Sequence, residues 1–294
     1  MKNKTISLLL SFLLGFFLIL ILSHTYVFYR SSLDTFTSKI ISTNNYSNYD
    51  NKLKKDMDFY VISMKTPERM ENIERQLEKL KQQGTPIHLE IVDAVVGKDL
   101  DLNRLIKNNI LSPKHTGNGE LDSNFRRGEI GCFMSHLKIY QQIQEKNKSG
   151  YSIIFEDDFD ISSERLIEDI EKIIKKARNQ KIDFDILFLG TVTENHGEPI
   201  FENIHRIDKN SILYGTHALL LKNENIPRWI EHVKMVDKQI DIKLVELTHH
   251  EKVNSYVIYP HIVNQQWGKI ESSIAIEGFD ILSNSKIQTS VLND

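Results

Sequence analysis

Cys132 is the sole cysteine of this 294-residue chain. It therefore forms no internal disulfide and no cysteine-rich zinc site, and either redox compartment suits it. Basic charge is also short. The 37 Lys and Arg against 40 Asp and Glu leave a net charge of −3. The sequence has no basic stripe of the kind that marks a nucleic-acid binder, so no nucleic-acid partner is expected. It also lacks a His-Glu-x-x-His pair and a Gly-x-Ser-x-Gly elbow. Those absences leave a helical zinc-hydrolase site and a serine-hydrolase triad without support. No repeat recurs at a solenoid period. What is present, 40% hydrophobic and 26% charged residues, is the composition of a globular domain rather than of a disordered chain.

The longest uncharged run lies at the N-terminus. Residues 6–29 hold no Asp, Glu, Lys or Arg, with Lys2 and Lys4 before them and Arg30 after. About 20 apolar residues span a bilayer. The flanking lysines favour a cytoplasmic N-terminus. The alternative is a cleaved signal peptide, but the run is long for one and ends without a clean cleavage site. The sequence therefore predicts a short tail at 1–5, a transmembrane signal anchor at 6–29 and a polar stem at 30–56. A folded domain follows at 57–274, with an unpatterned tail at 275–294. The chain is expected to be a single-pass, type II protein, with that domain on the lumenal or external side.

Within the domain, Phe59 to Met64 reads as a buried strand. Thr66-Pro67 opens a helix carrying Met70, Ile73, Leu77 and Leu80, which ends at Gly84. Ile87 to Val92 is a second strand, completing a β-α-β unit. Residues 99–125 read as an irregular loop, and Gly128 to Lys146 as a helix. Tyr151 to Phe155 reads as a strand, followed by a helix capped by Ser162 or Ser163. Further strands are expected at Asp185 to Leu189, Ser211 to Leu221 and Val253 to Tyr259, with a helix at Glu224 to Val236. The alternation predicts an α/β fold with a mostly parallel central sheet.

Glu156-Asp157-Asp158 directly follows an apolar strand, at the edge where open α/β sheets bind ligands. Adjacent carboxylates repel one another, and a hard divalent cation relieves that repulsion through oxygen ligands. Strand alternation puts Glu156 and Asp158 on one side and Asp157 on the other. The alternative is a polar strand end before a turn. Arg69 and Arg75 are candidates for a phosphate, or else surface helix arginines. Ser135-His136 lies downstream of the small residues Gly128 and Gly131, a pattern that close helix packing also explains. Cys132 reads as buried and inert. His249-His250-Glu251 and His261 invite a metal, but adjacent histidines point apart on most elements.

Read together, these segments resemble glycosyltransferase family 25. The resemblance rests on Tyr60-Val61-Ile62-Ser63-Met64-Lys65 with Glu68-Arg69, and on Val92-Asp93-Ala94-Val95-Val96-Gly97-Lys98. It continues through Gly128-Glu129-Ile130-Gly131-Cys132 with Ser135-His136-Leu137, and through Ile154-Phe155-Glu156-Asp157-Asp158. Tyr214-Gly215-Thr216-His217-Ala218 is similar to a family "GtaaY" segment without its final tyrosine. Ile240-Asp241 is similar to "pvD" without its proline. The resemblance implies a GT-A-type nucleotide-sugar-binding fold, Mn²⁺ or Mg²⁺, a UDP-sugar donor, and inverting transfer of galactose or glucose to a glycan, lipooligosaccharide or protein acceptor. It makes Asp158 and Glu156 the metal ligands. Arg69, Glu156, Ser135, His136, Gly215 and Thr216 become donor contacts, and Asp241 the catalytic base with Asp157 assisting. A catalytically inactive scaffold and a metal-dependent hydrolase are the rival readings.

Overall fold

The structure is a computed structural model that describes residues 57–83, 87, 89–117, 120–193, 196–211 and 213–266. The expected anchor, stem and C-terminal tail, and the helix stop at Gly84, lie outside the described residues. Among the described residues no helix is long and apolar enough to cross a membrane.

The strands are β1 Met57–Ser63, β2 Leu89–Asp93, β3 Leu111–Thr116, β4 Tyr151–Glu156, β5 Phe159–Ile161, β6 Ile186–Phe188, β7 Pro199–Phe201, β8 Ile204–Arg206, β9 Ala218–Lys222, β10 Val236–Lys238, β11 Ser255–Ile258 and β12 Val263–Gln265. The helices are α1 Pro67–Gln82, α2 Leu102–Lys107, α3 Asn124–Lys146, α4 Leu166–Asn179, α5 Ile226–Trp229 and α6 Ile240–His249. Eight strands form one sheet in the order β2-β1-β4-β9-β6-β11-β8-β7. Pairings β1–β2, β1–β4 and β6–β11 are parallel. The other four are antiparallel. The sheet is thus mixed in its pairings, although only β8 and β9 run against the common direction. The α/β class agrees with the sequence, and the reversed β9 is what alternation alone did not predict.

Strands β4, β9 and β6 are almost wholly buried, which accounts for their largely apolar sequences, with Ser152 the one polar residue inside them. Their residues divide between two faces with period two. Tyr60, Ile62, Ile154, Phe188, Leu219 and Leu221 share one core with Phe133, Leu137 and Tyr140 of α3 and with Trp229 and Leu244. The alternate residues Val61, Ile153, Phe155, Leu187 and Leu220 are equally buried outside that cluster. Each buried large apolar side chain contributes about 1.5–3 kcal/mol.

Several element boundaries differ from expectation. The 99–125 loop contains α2 and β3. Ser123, whose Oγ accepts from Arg126 N at 3.2 Å, starts α3 before Gly128. Neither Ser162 nor Ser163 occupies the cap position of α4, which is Arg165. The Leu166 N–H is satisfied instead by Gln83 Oε1 at 2.9 Å, a partner distant in sequence. The expected helix at Glu224 to Val236 breaks into short turns around α5 and ends in β10. Asp241 sits in the first turn of the separate helix α6.

Candidate active site at the C-terminal edge of the sheet

Because β1, β2, β4, β6 and β11 run the same way, their C-terminal ends share one edge. Strand β9 runs against them, so its N-terminal approach, Gly215 to His217, reaches that same edge. Ala218 pairs with Phe155, and Glu156 N donates to His217 O at 3.0 Å. The antiparallel insertion therefore brings the Gly215-Thr216 segment beside the acidic triplet.

Glu156 ends β4, and Asp157 and Asp158 form the turn into β5. That turn is braced from both flanks. Asn72 Nδ2 donates to the carbonyls of Asp157 (2.8 Å) and Phe159 (3.0 Å). Gln266 N donates to the Asp158 carbonyl at 2.8 Å, and its side chain donates to Asn72 Oδ1 at 2.9 Å. Arg69, Asn72 and Gln76 make the buried face of α1 partly polar. Polar residues at that helical spacing were the available sequence signal for Asn72 and Gln76, overlooked beside the apolar stripe.

The three acids have different surroundings. Glu156 accepts from His136 Nε2 at 3.0 Å and from Thr216 Oγ1 at 2.6 Å. Burial pushes its pKa up, but these donors and the nearby imidazoles outweigh burial and hold it below the ordinary carboxylate range. Asp157 is buried and forms an ion pair with Arg69, while Met64 N donates to its Oδ2 at 3.0 Å. The family resemblance implies a catalytic part for Asp157 and a nucleotide contact for Arg69; the structure joins the two to each other, because either charge buried alone is costly. Asp158 is 7% exposed. Its Oδ2 accepts from Gln265 at 2.7 Å, and its Oδ1 is buried with no hydrogen-bond partner. Burial and the Glu156 charge push Asp158 up to about 7.

Asp241 joins the same cluster. Its Oδ2 accepts from Gly215 N at 2.9 Å and its Oδ1 from Ile242 N at 2.8 Å. Burial raises its pKa, the backbone donors oppose that, and the Glu156 charge adds to the rise, so the net shift is upward. Gly215 has φ +94°, a conformation that favours glycine. Glu129 ties α3 to Gln239, two residues before Asp241; the sequence reading did not single out Glu129. Ser135 Oγ accepts from Val95 N (2.8 Å) and donates to Gly131 O (2.7 Å), so its hydroxyl is engaged within the fold. A Cβ on Gly131 would lie 2.5 Å from Val95 O, which explains the small residue at this helix–loop contact. Cys132, expected to be buried, is intermediate in exposure.

The candidate histidines outside this cluster, His249, His250 and His261, contact the backbone or a hydroxyl. His249 Nε2 lies 2.6 Å from Asp208 O, and His250 Nδ1 lies 3.0 Å from Glu246 O. His261 Nε2 lies 3.1 Å from Thr191 Oγ1. Arg75 hydrogen-bonds to Asn72 Oδ1 at 2.6 Å, on its own helix.

A cation fits the edge cluster on its donor chemistry. Asp158 offers a buried, unpartnered carboxylate oxygen beside the ionised Glu156, and hard divalent ions take such ligands.

The family model described as Glycosyltransferase family 25 (LPS biosynthesis protein) matches residues 56–206. The chain is 31% identical over 143 residues to procollagen galactosyltransferase 1-A of Xenopus laevis, covering 48% of this chain and 22% of that protein. It is 26% identical over 192 residues to a glycosyltransferase 25 family member of Drosophila melanogaster, covering 65% and 30%. It is 27% identical over 122 residues to the probable inactive glycosyltransferase 25 family member 3 of Rattus norvegicus, covering 39% and 20%. The chain thus spans under a third of the length of these relatives.

Proposed function

This chain belongs to glycosyltransferase family 25, and on that premise we propose that it is a metal-dependent hexosyltransferase with a GT-A-type donor domain. The reaction is inverting transfer of galactose or glucose from a UDP-sugar to a hydroxyl of a glycan, lipooligosaccharide or protein. The observation that carries this reading is Asp158, a buried carboxylate with one unpartnered oxygen beside ionised Glu156. Asp158 and Glu156 are the residues that would hold Mn²⁺ or Mg²⁺. Such an ion, when bound, supplies Lewis-acid stabilisation of the charge on a departing diphosphate.

The chain's own residues prepare that reaction. His136 and Thr216 keep Glu156 ionised, and Arg69 with Asp157 fixes the turn that presents Asp158. Gly215 and Thr216 border the donor position, and Ser135 holds the Val95 loop beside it. Asp241 is the base that takes the proton of the acceptor hydroxyl, with its carboxylate oriented by the Gly215 N–H. The apolar run at 6–29 supports action at a membrane, with the domain on its lumenal or external side.

A true donor binds the folded state and stabilises it by mass action. Thermal-shift screening of UDP-sugars with and without Mn²⁺ is expected to give one or two that raise Tm only with the metal. A flat response to every UDP-sugar would reject the reading. Asp241→Asn is expected to lower kcat by about 10²–10⁴-fold, the usual contribution of a general base, while donor Kd stays unchanged. An unaltered kcat removes Asp241 from that position. The second reading, an inactive scaffold, is favoured by the similarity to the rat protein named as probably inactive. The intact acidic triplet and Asp241 weigh against it.

A further inference from the structure

We propose that Cys132, His136 and Glu156 form a binding site for a thiophilic divalent cation such as Zn²⁺ or Cd²⁺. Cys132 and His136 stand one turn apart on α3, so both side chains leave the same face of the helix. Glu156 meets them from the end of β4. The thiol sulfur, an imidazole nitrogen and a carboxylate oxygen all lie within 4.8 Å of one another. Tetrahedral zinc with these ligand types spaces its donors roughly 3.3–3.8 Å apart, so closure takes side-chain movements of about 1 Å. This is the only group of at least three such donors among the described residues.

Asp158, whose Oδ1 is buried without a partner, follows two residues after Glu156 and stands outside this group of three donors. The donor set also selects the ion: thiolate and imidazole favour zinc-like metals, whereas the all-oxygen pair Asp158 and Glu156 favours Mg²⁺ or Mn²⁺. The two sites share Glu156 and differ in chemistry.

The surroundings of His136 suit a ligand. His136 Nε2–H donates to Glu156 Oε1 at 3.0 Å, and Nδ1 lies 3.4 Å from the Tyr140 hydroxyl. On binding, Nε2 gives its lone pair to the metal, and the ring proton moves to Nδ1 to face Tyr140 Oη. An oxygen that accepts from the far ring nitrogen in this way orients a metal-bound histidine. Cys132 releases its thiol proton to solvent, and the thiolate and Glu156 carboxylate together balance the ion's two positive charges.

The test is an ultraviolet titration of the reduced full-length chain, in detergent, with Cd²⁺ and no nucleotide. The expected result is a thiolate-to-cadmium charge-transfer band saturating at one equivalent. Cys132→Ser abolishes it. Loss of an outer-shell partner weakens such sites about 10–100-fold, so His136→Gln and Glu156→Gln are each expected to weaken Cd²⁺ affinity at least tenfold. Far-UV circular dichroism identifies any variant that has not folded, and the wild-type spectrum decides without variants. No band in the wild-type protein, or an affinity unmoved by both folded His136 and Glu156 variants, overturns the proposal. With nucleotide absent, its failure leaves the UDP-sugar reading standing, and a flat UDP-sugar screen leaves the cadmium band unaffected.

Discussion

Asp158→Asn is expected to abolish metal-supported transfer while making the metal-free protein more stable. Metal-assisted charge stabilisation amounts to several kcal/mol, and each 1.4 kcal/mol is about tenfold in rate. A loss of about 100-fold or more in Mn²⁺-dependent UDP release is the expected reading. The stability effect follows from the raised pKa. Asp158 stands at about 7 in the folded protein, against roughly 3.9 in an unfolded chain. Folding therefore takes up a proton between those values. The stability this group contributes is fully present below about pH 3.9 and is lost as pH rises through about 7. Asparagine carries no charge and keeps an oxygen for Gln265. The variant's advantage should thus grow from about pH 4 to 7 and then level, reaching on the order of a few kcal/mol. Thermal melts of both proteins in chelator across that range measure it. A variant that retains wild-type Mn²⁺-dependent turnover removes Asp158 from the metal site.

Breaking the Arg69–Asp157 pair is the second large effect. Both side chains are buried, so removing one partner leaves an uncompensated charge inside the protein. Arg69→Met is expected to lower unfolding free energy by about 3–5 kcal/mol. Asp157→Asn should cost less, because its amide oxygen still accepts from Met64 N. The double variant Arg69→Met/Asp157→Asn should recover part of the loss, since neither charge then remains. Urea denaturation of the three variants gives the comparison. Single variants within about 1 kcal/mol of wild type, the range of a surface ion pair, would mean that this pair does not hold the acidic turn.

The parts of this fold that sequence periodicity reveals are those where burial and period coincide. β1, α1, β4 and the apolar stripe of α4 lie where Phe59, Ile73, Ile153 and Ile170 lead one to expect them. The direction of β9 was not legible, because a fully buried strand such as Ala-Leu-Leu-Leu-Lys reads alike in either sense. Nor were the short strands β5 and β12, which owe their place to cross-strand pairing rather than to an apolar pattern. At the site, the acidic triplet and Asp241 were visible as residue types at matching positions. Their division of labour was not. It depends on partners far away in sequence, namely Arg69 for Asp157, His136 and Thr216 for Glu156, and Gln265 for Asp158. Gln265 and Asn72 carry no motif of their own, and only the folded turn makes them neighbours of the acids.

The proposed nucleotide-sugar site would need a cation held by Asp158 and Glu156. Isothermal calorimetry of UDP into the full-length protein, with Mn²⁺ and again in chelator, tests it most directly. Binding in the submillimolar range with Mn²⁺, lost in chelator and in Asp158→Asn, is the expected result. No heat at millimolar UDP with Mn²⁺ present, or equal affinity with and without the metal, would contradict it.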